Sequence, residues 1–221
     1  MDSNPYLGIT ISNDLQWKTH INNITKKANS TLGFIKRNLK HAPQECKRVA
    51  YIALVRSTLE YAAIVWGPYK QSDTVNLEKI KRNAARFIRG DYRSRQEGCV
   101  TDMLKELGLP PLQERRREKR LVMLFKIARG MVPAIKADVV LHQLPAKRRI
   151  RGKNYSDYQS SNPVDKYQIN NSSAFKIDQS NSEQYRNSFF VKTISDWNQL
   201  SDIQINSKTV DSFKSAVHIC D

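Results

Sequence analysis

The feature that most constrains the fold of this 221-residue chain is a stripe of apolar residues between positions 17 and 39. The stripe recurs at intervals of three or four residues, which puts all its members on one face of an α-helix. We therefore expect an amphipathic helix over about 16–39, with Asp14 as its N-terminal cap. The members of the stripe are Trp17, Ile21, Ile24, Ala28, Leu32, Ile35 and Leu39.

Similar patterns follow along the chain, and each is bounded by residues that favour helix ends. Two small helices are predicted near the C-terminus, around 189–200 and 210–217. Four longer ones are predicted before them: from Pro43 to Trp66-Gly67-Pro68, from Ser72 or Asp73 to Gly90, from Thr101 to Gly108, and from Leu112 to about Arg129.

Two segments do not show helical spacing. Leu7, Ile9 and Ile11 alternate with other residues, which predicts one short strand with no second strand to pair with. Residues 145–184 are rich in Ser, Asn, Asp and Tyr, which predicts a loosely ordered connector. We therefore expect a mainly α fold in four segments: the strand within 1–15, a basic helical bundle over 16–144, the polar connector over 145–184, and a small C-terminal helical element over 185–221.

The net charge of +16 is unevenly distributed. Residues 17–56 carry +8, residues 70–95 carry +5 and residues 112–153 carry +10, whereas residues 154–221 carry −2. A single charged run is usually a solvated surface, but an excess shared by three consecutive segments favours contact with a polyanion. Nucleic acid is the leading candidate.

Two predicted helices supply the candidate contacts. The first helix carries cations away from its apolar stripe, and the fifth carries cations along one side, so that each could follow a phosphate backbone in a salt-dependent way. Tyr51, Tyr61, Tyr69 and Tyr92 could stack on bases, although packing is the commoner role of such residues. The candidate cations are Lys18, Lys26, Lys27, Lys36 and Arg37 on the first helix, and Arg115, Lys119, Lys126 and Arg129 on the fifth.

Arg117 shares a helix face with Leu121 and Leu124, which would turn its charge toward the interior. A buried guanidinium needs a partner. Glu60 is one candidate for this structural ion pair, because it lies within an apolar stretch. The alternative is that Arg117 extends to water beside Glu114.

Motifs for catalysis or for cofactors are absent from the sequence. It contains no Asp-Asp pair, no glycine-rich phosphate loop and no metal-ligand spacing of His or Cys. We therefore expect no catalytic residues, no metal and no cofactor. No apolar run approaches the roughly 20 residues that span a bilayer, and the first residues do not follow a signal-peptide pattern. We expect an intracellular protein, nuclear or cytoplasmic, with no membrane partner.

Several short motifs occur in a distinctive order. Tyr6-Leu7-Gly8 comes first, Leu59-Glu60-Tyr61 and Trp66-Gly67-Pro68 follow, and Asn187-Ser188-Phe189-Phe190 and Trp197-Asn198 close the series. Their order and spacing resemble the C-terminal part, thumb and beyond, of reverse transcriptases from jockey-like non-LTR retrotransposons of the LINE type. Each motif alone is weak, and their ordered combination is fairly specific.

The resemblance implies a thumb-like helical bundle whose partner is RNA or an RNA–DNA template–primer duplex. It implies that Tyr6, Leu7 and Gly8 correspond to the segment that holds the primer end. The fingers and the palm, which carries the aspartates of such an RNA-directed DNA polymerase, have no counterpart here, so we expect a non-enzymatic binding fragment of a mobile element. The alternatives are a protein-interaction fragment that docks on a palm-containing polymerase chain, and an inactive remnant. The sequence does not determine the oligomeric state.

Overall fold

The computed structural model describes residues 3–144, 169–178 and 181–218. This part of the chain is mainly helical, as predicted, and none of its helices is long and apolar enough to cross a membrane. It divides into two compact units, unit 1 ending at Arg116 and unit 2 beginning at Arg117. The predicted boundaries after residues 15, 144 and 184 differ from this division.

Unit 1 begins with two strands rather than the predicted single strand. Strand β1 (Ser3–Tyr6) pairs antiparallel with β2 (Ile9–Ser12), and Tyr6 lies opposite Ile9. The two residues between the strands, Leu7 and Gly8, have φ values of 46° and 80°. Positive φ at both central positions is typical of a type I′ hairpin turn. The alternating apolar pattern concealed this turn, because Leu is uncommon at positive φ.

The predicted first helix is confirmed as α1 (Lys18–Asn38). Its apolar stripe is buried, but Asp14 does not cap it, because Trp17 occupies the N-cap position. The Asp14 carboxylate instead accepts hydrogen bonds from the Ser12 hydroxyl at 2.6 Å and the Gln16 N–H at 3.0 Å. These bonds lower the pKa of Asp14 and hold the turn that leads from the hairpin into the helix.

The predicted second helix is divided into three stretches and ends earlier than expected. Helix α2 (Gln44–Ala50) continues as a π-helical segment (Tyr51–Arg56) and then as α3 (Ser57–Glu60). The hydroxyls of Ser57 and Thr58 donate to the carbonyls of Ala53 and Leu54, at 2.5 Å and 3.0 Å. These side-chain bonds occupy carbonyls of the segment where the regular α-helical pattern is interrupted.

Helices α4 (Gln71–Arg89) and α5 (Cys99–Glu106) complete the helices that lie wholly within unit 1. Gly90 ends α4 in the left-handed conformation, with φ of 73°, as glycine at this position commonly does. Helix α6 (Leu112–Ala128) begins in unit 1 and contains the boundary between the units. Glu78 of α4 accepts the Leu112 N–H at 2.6 Å, which satisfies one of the free donors at the start of α6.

The core of unit 1 is formed by the inner faces of these helices. Trp66, Tyr51, Ile21, Ile35, Leu59, Leu77, Ile80, Ile88 and Leu112 are its largest fully buried side chains.

The described part of unit 2 contains the rest of α6 and five short helices. Its core is aromatic: Phe125 stacks on Phe213 at 4.4 Å between ring centroids, and Trp197 lies 5.8 Å from Phe213. The short helices are α7 (Ala137–Val140), α8 (Glu183–Arg186), α9 (Phe189–Asn198), α10 (Asp202–Ile205) and α11 (Val210–Val217).

Most of the predicted connector, residues 145–168 and 179–180, lies outside the described residues. The described part, 169–178, is packed rather than loosely ordered. Phe175 is buried, and its N–H and carbonyl are bonded to the side chain of Asn198 at 3.0 Å and 2.9 Å. Asn171 donates to the carbonyls of Trp197 and Leu200. This segment packs with few apolar residues because side-chain amides form hydrogen bonds with its buried backbone groups.

Candidate nucleic-acid interface

Helix α1 presents a solvent-facing surface without a single carboxylate over its 21 residues. Lys18, Lys26, Lys27 and Arg37 are exposed, and none of their four side chains has a hydrogen bond or an ion pair with another described residue. The buried stripe of the helix lies on the opposite side, which fixes the direction in which Lys26 and Arg37 point. Uncompensated cations along a helix face can each neutralise one phosphate of a nucleic-acid backbone.

Lys36 behaves differently from its neighbours. It is half-buried, and burial lowers its pKa below the ordinary value. Its Nζ atom lies 5.9 Å from the centre of the Tyr92 ring, within the range of a cation–π contact. This contact places the loop after α4 beside the last turn of α1.

That loop, residues 90–95, has a defined conformation. The Asp91 carboxylate accepts the Ser94 hydroxyl at 2.5 Å and the N–H groups of Ser94 and Arg93 at 3.0 Å. These hydrogen bonds lower the pKa of Asp91 to about 2. The Arg86 guanidinium bonds the carbonyls of Asp91 and Ser94 from the other side. A fixed loop therefore exposes Arg93 and Arg95 next to the basic end of α1.

Exposed aromatic rings accompany the cations. Phe34 projects from the outer side of α1 and is 56% exposed, and Tyr92 is 51% exposed. Rings interleaved with cations suit base stacking against single strands or strand ends. Sequence reasoning missed Phe34, Arg93 and Arg95. The sequence does contain one signal for the two arginines: cations alternate with an aromatic residue over 89–95. We define the basic face as Lys18, Lys26, Lys27, Arg37, Arg93 and Arg95, with Phe34 and Tyr92.

The predicted pair of Glu60 with Arg117 is wrong. The Glu60 carboxylate is held by Arg115, with Nε at 2.5 Å and the second bond at 3.2 Å, in bidentate geometry. In unit 2, Arg117 instead pairs with Asp196 at 3.5 Å. Glu60 does pair with an arginine of α6. That arginine lies two residues earlier in the helix than the one that the apolar periodicity of α6 indicated.

Arg115 is therefore a structural residue of unit 1 rather than a free phosphate ligand. Its neighbour Arg116 is 3% exposed, donates to the Leu59 carbonyl at 3.0 Å and lies over the Trp66 ring at 5.0 Å. The Trp66 indole N–H in turn donates to the Tyr61 carbonyl at 2.8 Å. The motif residues of 59–66 thus share one network with the start of α6.

The remaining predicted cations lie in unit 2. Lys119 and Lys126 are half-buried. Arg129 is exposed as a residue, yet its guanidinium donates to the carbonyls of Ile205 and Ser207 at 3.3 Å and 3.4 Å and lies over the Phe125 ring. Within unit 2, the cations of α6 therefore do not form the open stripe that their spacing predicted.

The segment Tyr6-Leu7-Gly8 forms the tip of the hairpin. The Tyr61 hydroxyl donates to the Leu7 carbonyl at 3.0 Å, and a side chain at Gly8 would approach the Tyr61 ring to 3.2 Å. Two non-glycine residues at this place have positive φ: Leu7 in the tip and Ala62 next to Tyr61. Tyr6 and Leu7 are 65% and 73% exposed. A strained and exposed apolar tip is an arrangement that is often kept for a contact.

Within the part of the chain that the structure describes, no three His, Cys, Asp or Glu side chains gather in a way that could hold a metal ion. Comparisons with protein-family models, with curated proteins and with solved structures found no match.

Proposed function

We propose that this chain binds nucleic acid without catalysis, through the basic face of unit 1, as a thumb-like part of a retrotransposon reverse transcriptase. The observation that carries the proposal is α1, whose exposed side holds four cations and no carboxylate. Contact with the phosphate backbone of a nucleic acid needs positive charges at intervals along a rigid element, and it needs little recognition of the bases. The partner is RNA or an RNA–DNA template–primer duplex.

The motifs on which the family resemblance depends support this proposal. Tyr6-Leu7-Gly8 forms a hairpin tip in contact with Tyr61, and Leu59-Glu60-Tyr61 and Trp66 belong to the network that joins α3 to the start of α6. Residues that would hold a thumb together thus carry structural roles in unit 1. The exposed tip is where a primer end would be held.

The experiment is a salt titration of binding. Fluorescence anisotropy with an RNA–DNA hybrid that ends in 5′-hydroxyl groups should give an affinity that falls steeply with potassium chloride. The double variant Lys26→Gln/Arg37→Gln should bind more weakly, with a plot of log affinity against log salt that is shallower by about 2, since each lost phosphate contact removes about one from the slope.

The matched control is Lys105→Gln/Lys208→Gln, which removes the same charge from two exposed positions outside the basic face. Its slope should stay that of the wild type. Equal slopes for the wild type and the Lys26→Gln/Arg37→Gln variant would exclude the basic face as the contact surface.

The hairpin tip favours a second candidate function, docking on a palm-containing polymerase chain. Tyr6, Leu7 and Tyr61 form an exposed apolar surface at one place in unit 1. Leu7→Asn should abolish such docking while it suits the type I′ turn, because Asn tolerates positive φ. Leu15→Asn is the control, since Leu15 is also exposed and also has positive φ.

Sedimentation with and without a palm-containing fragment measures docking for both variants. A chain that binds neither nucleic acid nor this fragment would be an inactive remnant.

A further inference from the structure

Unit 2 contains a group of charges in which cations outnumber carboxylates. Asp196 of α9 accepts a hydrogen bond from Arg120 at 2.8 Å and forms an ion pair with Arg117 at 3.5 Å, both on α6. Lys192 lies one turn before Asp196 on the same helix. The group therefore holds three cations and one carboxylate, which leaves two positive charges uncompensated within it.

The donors of this group are not all used. The side chain of Arg120 is only 10% exposed, and its buried Nε has no hydrogen-bond partner among the described residues. Lys192 is half-buried, and its side chain likewise has no hydrogen bond or ion pair in the described ranges. Burial lowers the pKa of Lys192, and the neighbouring Arg120 lowers it further. A buried guanidinium normally has its donors satisfied, so among the described residues the Arg120 Nε lacks an acceptor that such a group needs.

A purely structural role accounts for only part of this arrangement. One arginine would be enough to join α6 to α9 through Asp196, and each additional cation adds repulsion at reduced solvation. The excess charge instead matches a dianion with several acceptor oxygens. Planar guanidinium groups and an ammonium together are the usual ligands of phosphate groups.

We propose that Arg117, Arg120 and Lys192 bind a phosphate monoester, with Asp196 as the positioning residue that orients both arginines. Arg117 and Lys192 are partly exposed, whereas only 10% of the Arg120 side chain is exposed. All residues of the site belong to unit 2, and none belongs to the basic face of α1. The proposal is therefore tested independently of the nucleic-acid proposal. A free small phosphate and the 5′-phosphate of a nucleic-acid strand present the same chemistry.

The test uses inorganic phosphate as the probe, in isothermal titration calorimetry with the full chain at pH 7.5 and constant ionic strength. Saturable binding is expected, and Lys192→Gln should weaken it at least tenfold. Lys192→Gln keeps the Asp196 contacts of both arginines, so the fold should persist, and circular dichroism checks this. Lys208→Gln, which removes an exposed charge of the same unit, should bind as the wild type does. No saturable heat, or equal affinity for Lys192→Gln and the wild type, would overturn the proposal.

Competition identifies the source of the phosphate. Displacement of inorganic phosphate by a 5′-phosphorylated oligonucleotide, but not by the 5′-hydroxyl form, assigns the site to strand ends. Displacement by neither assigns it to a free small phosphate. Equal displacement by both forms contradicts a monoester site. The variant Lys26→Gln/Arg37→Gln should bind inorganic phosphate normally, which separates this result from that of the basic face.

Discussion

Helices α1 and α6 both carry many cations, yet the structure uses them in opposite ways. On α1 four of the five cations, all except Lys36, are exposed and reach solvent without a carboxylate nearby in the helix. On α6 they turn inward: Arg115 is held by Glu60 in unit 1, and in unit 2 Arg120 is held by Asp196. Charge counted along a sequence therefore indicates a binding surface only where the apolar pattern leaves the cations outside.

The difference follows from how much of each helix is buried. Helix α1 is amphipathic, with one apolar side. Helix α6 has buried residues of several orientations, including Leu121, Leu124, Phe125 and Ile127 in unit 2. A helix covered on most sides must place its charged residues among packed neighbours, where each one needs a partner. The stripe predicted on α6 ignored this requirement.

The largest expected effect comes from removing an inward charge contact of α6. Glu60→Gln should lower the free energy of unfolding by about 3 kcal/mol, because it leaves the Arg115 guanidinium partly buried without its carboxylate. Urea denaturation followed by circular dichroism measures this loss. The same change at exposed Glu97 should stay within about 0.5 kcal/mol of the wild type. An equally small loss for Glu60→Gln would show that the ion pair between Glu60 and Arg115 does not contribute to stability.

A smaller effect tests how α1 is attached to the hairpin. His20 is buried between Trp17 and Trp66, and its Nδ1 accepts the Thr10 N–H at 3.2 Å. Burial lowers the pKa of His20, so the unfolded chain takes up the proton first on acidification. Stability should be full above about pH 7 and should fall as the pH drops below the ordinary pKa of about 6.5, by at most about 1.4 kcal/mol per pH unit.

Urea denaturation at pH 7.5, 6.5 and 5.5 measures the dependence attributed to His20. In the variant His20→Leu, whose side chain does not titrate, the loss over this range should be reduced. An unchanged dependence would assign the effect to another group.

The smallest effect concerns the outer side of α1 itself. Gly33 lies within the helix, and an added Cβ would meet only the end of Arg37, at 3.5 Å. Gly33→Ala should therefore raise the free energy of unfolding by about 0.5–1 kcal/mol. Gly98→Ala is the contrasting control, because Gly98 has φ of 83° and a side chain there is strained. Thermal unfolding should move upward for the first variant and downward for the second.

The sequence predicted the helices well because their signals are local. Apolar spacing located α1, and Gly90 and Gly130 marked the ends of α4 and α6. The hairpin was missed because its turn has Leu at positive φ, which no propensity favours. The order of residues 169–178 was missed because it depends on Asn171 and Asn198 bonding the backbone, and amides in a polar stretch give no periodic signal.

Less of the candidate interface could be predicted. Lys18, Lys26, Lys27 and Arg37 are exposed as the helix face required. The sequence could not show whether Glu60 pairs with Arg115 or with a neighbouring arginine of α6. Which of these arginines faces Glu60 depends on how α6 packs against segments that are distant in the sequence. The same applies to the loop 90–95, which reaches the end of α1 only through the fold.

The central claim is that the nucleic acid contacts α1 and not the cations of α6. The most direct measurement is the salt dependence of binding to a 5′-hydroxyl RNA–DNA hybrid for Lys26→Gln/Arg37→Gln and for Lys126→Gln/Arg129→Gln. The slope should become shallower by about 2 for the α1 variant and should change by less than about half that for the α6 variant. An unchanged slope for the α1 variant, or an equal loss for both, would contradict the claim.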